Sequence, residues 1–441
     1  MRRHWWQSYG NGSDAEGPGK CISGEYRIDL HIHVGKACGK PVKIPSSCDM
    51  TVPRILEAAL YDKGLDALGI VDCNSRWVVA DLDELIQAGD LKEVEGGGLL
   101  WRKKLLVIPG AEVEIDKDGR PFHLVAFFPG IVQCREFTAF LMPHCANVNM
   151  STPRVNIDPG SLLRKVESLG GFSAIAHAFT PYKGYFGSAG TRLSPWLERA
   201  YGFLPMLEPG SYSPFGKGTT GHIALELGLS ADTTMADRIS ELHGFPFLSS
   251  SDAHSPQRIA REFTVLYMEL PSFEGVKSSL FGGSMRFQVA NVGIDPRLGK
   301  YHRSVCGKCG SFLDSQAYAN GTCPACGAKR PHFVKGVKER IDEIADLEEG
   351  NHPPGRPPYI YQVPLSMIPG IGPVTASRLS HALGGEIGVL HGSSHDDISR
   401  VAGVRVADTI MALRAGRYGV KEGGGGRYGE VWTYLPHSKH I

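Results

Sequence analysis

The sequence predicts an α/β barrel with two small modules behind it. Three observations lead there. From Tyr26 to about Gly293, short apolar strand patterns alternate with helical ones, which implies parallel strands and a closed or nearly closed seven-stranded barrel. A histidine or a carboxylate stands at nearly every predicted strand end, where a barrel of this kind keeps its reactive groups. Behind the barrel come two Cys-x-x-Cys pairs and then a glycine-rich turn that feeds a helix.

Bulk properties narrow the class. The chain has 441 residues, 42% hydrophobic and 21% charged, with a net charge of +1, as expected for a globular protein of several domains. No apolar run reaches the roughly 18 to 20 residues of a membrane span. Met1–Gly19 has early arginines but no apolar core after them, and reads as a disordered tail rather than a signal peptide. A cytoplasmic location with no membrane partner follows by default. Six cysteines (Cys21, Cys38, Cys48, Cys73, Cys134, Cys145) are scattered and are expected to be reduced. The part before Gly293 is mildly acidic and the part after it mildly basic, which suits metals in the first and phosphates near the second.

The first predicted strand, Tyr26–His33, ends in Asp-Leu-His-Ile-His. A strand has a side-chain period of two, so His31 and His33 share a face and can grip one metal ion. The other predicted strands are Ala67–Val71, Leu105–Pro109, His123–Phe128, Phe172–His177, Ile223–Leu229 and Pro246–Ser251. Between them helices are expected, including Val52–Lys63, Asp81–Ala88 and Pro159–Leu169. The strand ends carry Asp72 and Cys73, then Glu112, His123, His177, Asp232, and finally Asp252 with His254. One such residue is commonly structural; the whole series points to a metal site.

In that order, the motifs DLHIH, a strand ending in Asp, GAE, a lone His, AHA and SDAH resemble the PHP (polymerase and histidinol phosphatase) metal-dependent phosphoesterases. The resemblance implies a distorted seven-stranded α/β barrel holding two or three divalent ions (Zn, Mg or Mn). It implies His31, His33, Glu112, His123, His177, Asp252 and His254 as ligands, with Glu112 as a bridge. The carboxylates expected to serve catalysis are Asp72, Glu112, Asp232 and Asp252. Where the family's second motif ends Asp-His, this chain has Asp72-Cys73; either Cys73 is a ligand, which favours zinc, or one ligand is missing.

Longer stretches are similar to one branch, endonuclease Q. They are Asp29–Lys36 with Gly39–Ile44, Gly69–Cys73, and Gly228-Leu-Ser-Ala-Asp-Thr-Thr-Met-Ala-Asp-Arg238. The last also reads as a plain strand-to-helix loop whose acidic residues cap a helix. The resemblance implies a repair endonuclease. It would nick DNA 5′ to deaminated bases (uracil, hypoxanthine, xanthine) and abasic sites, leaving a 3′ hydroxyl and a 5′ phosphate. The alternatives are a small-molecule phosphatase of the histidinol phosphatase kind and a non-catalytic DNA-binding protein. A flipped target base needs a pocket; candidates are Lys36–Lys43, the insertion Ala178–Gly218 with Tyr182, Tyr185 and Phe186, and the region beside the cysteine module.

Cys306, Cys309, Cys323 and Cys326 form two knuckles, each followed by glycine (Gly310, Gly327). The spacing suits one structural zinc held by four thiolates; a redox dithiol is the alternative. Lys308, Lys329 and Arg330 either touch DNA or form a solvated basic face. His332–Gly350 is expected to be a charged helix, and Asn351–Pro358 a stiff proline-rich linker. Met367–Leu379 looks like a helix-hairpin-helix motif in which Gly370 and Gly372 let backbone amides approach a phosphate. A weaker copy at Ile398–Ile410 has Gly403 followed by Arg405 in place of a second glycine; a plain helical bundle is the alternative. Lys36 and Lys43 are further DNA-binding candidates. The expected organisation is a disordered tail over 1–25, the barrel over 26–293, a zinc ribbon with its charged helix over 294–350, a linker over 351–358, tandem hairpins over 359–418 and a flexible tail over 419–441.

Overall fold

The computed structural model describes residues 24–117, 119–201, 221–282 and 288–434. The tail over Met1–Gly19, Cys21, part of the predicted insertion and the last seven residues lie outside them.

All seven expected barrel strands are present: β1 (Glu25–Ile32), β2 (Ala67–Ile70), β3 (Leu105–Lys117), β4 (Arg120–Phe127), β5 (Phe172–Ile175), β6 (Ile223–Glu226) and β7 (Phe247–Leu248). They neighbour one another in that order. The sheet curls until its ends meet. Ile32 bridges Ala253, His33 N–H donates to Ala253 O at 3.1 Å, and Ala253 N–H donates to His31 O at 3.2 Å. Closure therefore occurs at the ends that carry His31, His33, Asp252 and His254.

The expected all-parallel order holds for β1–β2–β3 and β5–β6–β7 but not for β4, which runs antiparallel to both neighbours. A tight hairpin causes this: Lys117 faces Arg120, and Gly119 has φ +78°. The sequence there reads Asp118-Gly119, a strong hairpin dipeptide. Side chains alternate between two apolar layers. Val107, Val113, Leu124 and Ile175 pack in the layer that also holds Val52, Leu82, Phe137 and Leu162 from the helices. Leu106, Ile108, Val125, Phe127 and Ala174 pack in the second, with Phe273 and Leu280.

Three more strands extend the sheet beyond β1: β8 (Phe263–Tyr267), β9 (Gln288–Ile294) and β10 (Tyr359–Gln362). β10 departs from the expected organisation, since it follows the supposed linker yet pairs in parallel with β9 inside the barrel sheet. The linker itself is pinned. Arg356 is an ion-pair partner of the buried Asp237 at 2.9 Å and lies 3.7 Å over the Phe247 ring.

The expected charged helix is shorter, Val337–Ile344. Its Glu339 ties the cysteine module down through Arg303 Nε at 2.7 Å and Ser304 N at 2.8 Å. The C-terminal region has its own apolar cluster, including Ile368, Leu379, Ile398 and Ile410. Its helices include Pro373–Ala382, His395–Ala402 and Val404–Arg414. A β-hairpin of Tyr418–Lys421 with Glu430–Thr433 stands where a flexible tail was expected. This region docks on the barrel by backbone contact. A Cβ on Gly385 would lie 2.5 Å from Gly64 N, and both glycines have positive φ. Beside them the buried Lys63 pairs with Glu386. Among the described residues no helix is long and apolar enough to cross a membrane.

Candidate metal centre

Strand parity aims the site. His31 and His33 lie two residues apart near the end of β1. Glu112 and Glu114 lie two apart on β3, and the β3–β4 register sets Glu114 opposite His123. The β3 residues between and beside them, Ala111, Val113 and Ile115, enter the helix-covered layer, so the carboxylates point inward.

The second nitrogen of each ring fixes the first. His31 Nδ1 bonds Glu226 Oε2 at 2.9 Å, and His33 Nδ1 bonds Asp72 Oδ2 at 3.1 Å. Carboxylate partners hold each ring through Nδ1 and turn Nε2 toward the centre of the site. Those two Nε2 atoms face each other at 3.1 Å. Glu112 stands 3.5 Å from the first and 3.4 Å from the second. Two ring nitrogens and a carboxylate converging at that distance can share one cation. The Lys43 ammonium, 2.9 Å from His33 Nε2 and 3.4 Å from Glu112 Oε2, supplies a positive charge at this spot.

Three groups of side chains converge tightly enough to hold an ion: His31, His33 and Glu112; His33, Asp252 and His254; Glu112, His123 and His177. Glu112 and His33 each belong to two of them. His123 Nδ1 lies 2.9 Å from Glu112 and 3.3 Å from His177 Nε2, while its Nε2 faces Glu114 at 3.5 Å. His177 Nδ1 is buried without a hydrogen-bond partner among the described residues. His254 is held by Ser46 Oγ at 3.0 Å. The donor set therefore suits divalent cations.

Electrostatics agree. Burial pushes the Glu112 carboxyl up, but His123 and Lys43 outweigh it and hold the group well below the usual carboxylate range. Burial likewise opposes ionisation of Asp252, and His254 and His31 overcome it. Burial lowers His254 to about 3, so the ring stays neutral and able to ligate. His177 and Asp252 have φ of +30° and +46°. Such backbone costs on the order of 1–3 kcal/mol per residue and persists where the surroundings enforce it.

Two expected residues lie elsewhere. Cys73 is fully buried in the helix-covered layer, where its thiol contacts Ile70 O at 3.4 Å. It belongs to none of the three ligand groups. At the position where Asp-His is usual, the residue after Asp72 faces the core. Asp232 caps the short helix Thr233–Ala236 through Met235 N at 2.8 Å and accepts a hydrogen bond from Tyr361, so it acts as a helix cap. Asp72 touches His33 and Val34 N, a supporting position. Lys36 is exposed on a small hairpin with Lys40–Pro41. Tyr185 and Phe186 are fully buried core residues, whereas Tyr182 lines the site.

The site opens into a cavity of about 290 Å³ lined by Lys43, Lys183, Arg258, Arg261, Lys300 and Tyr301 among others. Arg258 and Arg261 also line an adjoining cavity of about 490 Å³, which reaches Met367, Pro369 and Tyr428. Arg261 is fixed by Ser251 O at 2.8 Å and by the Tyr428 hydroxyl at 2.7 Å. Sequence reading missed Glu226 and Glu114. The signal was present: both are carboxylates at inward positions of barrel strands.

The four module cysteines converge separately, with Sγ pairs at 3.7 Å (Cys306, Cys326) and 3.6 Å (Cys309, Cys323). Gly310 and Gly327 have φ of +75° and +71°. In the C-terminal region Gly370 and Gly403 have φ of +85° and +89°, and a Cβ added at either, or at Gly372, meets nothing. Each turn feeds a helix, and Arg405 is exposed on the second.

No protein-family model matches the chain. The uncharacterized protein YqxK of Bacillus subtilis (strain 168) is 37% identical over 406 residues, 91% of this chain and 98% of the relative. The uncharacterized protein MJ0043 of Methanocaldococcus jannaschii is 39% identical over 227 residues, 47% of this chain but 28% of the relative. Among solved structures, the lesion-specific endonuclease PfuEndoQ from Pyrococcus furiosus matches with a TM-score of 0.76 and 31% identity, covering 92% of this chain and 95% of that one. Endonuclease Q in complex with a 27-mer duplex substrate carrying an abasic lesion at the active site matches at 0.75 and 31%, covering 93% and 97%. Sharing its fold and close to a third of its residues with that enzyme along almost the whole of both chains, this protein belongs to the endonuclease Q family.

Proposed function

We propose that the protein is a metal-dependent DNA endonuclease that nicks the backbone 5′ to deaminated bases and abasic sites, leaving a 3′ hydroxyl and a 5′ phosphate. The observation that carries this reading is the convergence of His31 Nε2 and His33 Nε2, 3.1 Å apart and bracketed by Glu112. It sits beneath a cavity rimmed by Lys43, Lys183, Arg258, Arg261 and Lys300. Carboxylates and imidazoles attract cations, and the basic rim attracts a polyanion.

His31, His33, Glu112, His123, His177, Asp252 and His254 would hold two or three divalent ions. Bound there, such ions supply Lewis acidity to a phosphodiester and lower the pKa of an attacking water. The protein's own contributions are positional. Glu226, Asp72 and Glu114 orient the rings of His31, His33 and His123. Lys43 can turn its amine from His33 to a phosphate oxygen, steadied by Thr152 Oγ1 at 3.0 Å. Arg261, fixed by its backbone and tyrosine partners, presents a rigid cationic edge to the strand that enters. Tyr182 and Tyr301, ring centroids 5.7 Å apart, form an aromatic wall beside an extruded nucleotide.

Four thiolates leave no open position, so the cysteine module would hold a structural zinc. The turns at Gly370–Gly372 and Gly403–Arg405 would bind duplex phosphates through backbone amides, as a tandem helix-hairpin-helix region. Lys36 lies outside the metal cavity and would serve as a peripheral phosphate contact.

The test is nicking by the purified chain, with added divalent metal, of duplexes containing uracil, hypoxanthine, xanthine or an abasic site. Undamaged duplex and a phosphate monoester are the controls. Lesion-dependent nicking is expected, with its loss in His31→Ala and Asp252→Ala. Hydrolysis of the monoester alone would overturn the proposal.

A further inference from the structure

We propose that Ile44, backed by Pro45, is a wedge that enters the base stack beside the nicked phosphodiester and fills the space left by the extruded nucleotide. The inference rests on the reading of the substrate as duplex DNA with one nucleotide drawn into the metal cavity.

Ile44 is 80% exposed, an unfavourable position for a large aliphatic side chain unless something apolar covers it. Single exposed apolar residues are ordinary; the anchoring of this one is not. Lys43 to Ser46 form a tight turn closed by Ser46 N–H to Lys43 O at 3.1 Å, with Ile44 and Pro45 at its tip and both exposed. Each foot of the turn stands on the metal site. On one side Lys43 Nζ reaches His33 at 2.9 Å and Thr152 at 3.0 Å. On the other, Ser46 Oγ meets His254 Nδ1 at 3.0 Å and Ser47 N–H donates to His254 O at 2.8 Å.

The loop behind the tip is closely packed. A Cβ on Gly35 would come 2.1 Å from Ser47 O, and Val42 N–H donates to Gly35 O at 2.9 Å. The tip therefore cannot fold back to cover its own apolar surface. Proline fixes φ and a β-branched side chain holds few χ1 rotamers, so little entropy remains to be lost on contact. A rigid apolar tip joined through both feet to metal ligands has one fitting occupant in duplex DNA. That occupant is the gap between base pairs next to the phosphate being cut. Aliphatic wedges of this size unstack base steps, a cost that contacts elsewhere along the bent duplex offset.

Two substrates separate this role from a structural one. One is uracil in a fully paired duplex; the other is the same uracil flanked by unpaired bases in a bubble. Ile44→Ser is expected to lower kcat/KM on the paired duplex by about tenfold or more, since the step must then be opened without a stacking substitute. On the bubble, already unstacked, the loss should stay within about threefold, and Ile44→Leu should retain most activity on both. A 2-aminopurine placed next to the lesion should brighten with the wild type and less with Ile44→Ser. Equal losses on both substrates, or unchanged nicking of the duplex, would overturn the wedge and leave the nuclease reading standing. A wild-type chain that nicks neither substrate would overturn both.

Discussion

The molecule has two metal-ligating regions built on opposite plans. At the barrel mouth the groups come from His31 to His254, brought together by strands distant in sequence, and carboxylates hold the second nitrogens of three rings. In the cysteine module all four thiols lie between Cys306 and Cys326, two buried and two exposed. The barrel has two extensive apolar layers of its own. The module's cluster is Cys306, Leu313, Cys323 and Ala328 with a few partly buried neighbours. That is too little to stabilise a fold unless metal binding supplies the rest. On the proposed reading, ions at the mouth would serve chemistry and an ion in the module would serve structure.

The contrast can be broken at several points. His31→Ala or Asp252→Ala should cut nicking by roughly a thousandfold or more, because the metal site loses a ligand. The melting temperature should hold, and a collapse of the barrel on thermal scanning would erase the distinction. Cys323→Ser should do the reverse. Bound zinc, read by elemental analysis, should drop out, and protease should cut within the module while the barrel melts unchanged.

Glu226→Gln probes the support behind His31. Metal affinity should weaken about 10- to 100-fold by calorimetric titration, with kcat largely restored at saturating metal. Asp232→Ala sharpens the boundary of the site. As the cap of a short helix it should cost about 1 kcal/mol in denaturant unfolding and leave kcat unchanged. A large fall in kcat would return Asp232 to the reaction.

The smallest effect is at His222, which precedes β6 and packs edge-on to Phe281 at 5.2 Å. Burial, with Lys277 nearby, lowers this ring to about 4. Its folded pKa lies below the unfolded value of about 6.5, so the unfolded chain binds the proton more readily. Stability should fall as pH drops from about 6.5 and level off near 4. His222→Gln should recover on the order of 1 kcal/mol at pH 5, after allowance for partial exposure, and nothing at pH 8.

Much of the site was legible because it follows from parity. His31 and His33 share a face through the period of two, and strand ends meet at one mouth whatever the helices do; the same parity on β3 would also have given Glu114 beside Glu112. Cys73 shows the limit. It follows Asp72 directly, so the neighbouring residue turned to the core. Asp232 misled because the sixth strand was read three residues too long, to Leu229. The strand ends at Glu226, and that carboxylate faces inward. The supposed linker failed for another reason. Its prolines do exclude helix, but Arg356 met a buried carboxylate on a distant element, and no local pattern reveals such a partner.

By itself the amino-acid order determined the barrel, the ligand types, the two cysteine knuckles and the glycine turns. Periodicity, turn chemistry and short spacing are local properties of a chain. Tertiary structure alone decided which nitrogen of His31 and of His33 turns to the centre of the site, that β4 reverses, that the proline stretch is clamped and that Ile44 stands exposed beside that site. Each of these depends on which groups meet across tens or hundreds of residues, and only the closed sheet sets those distances.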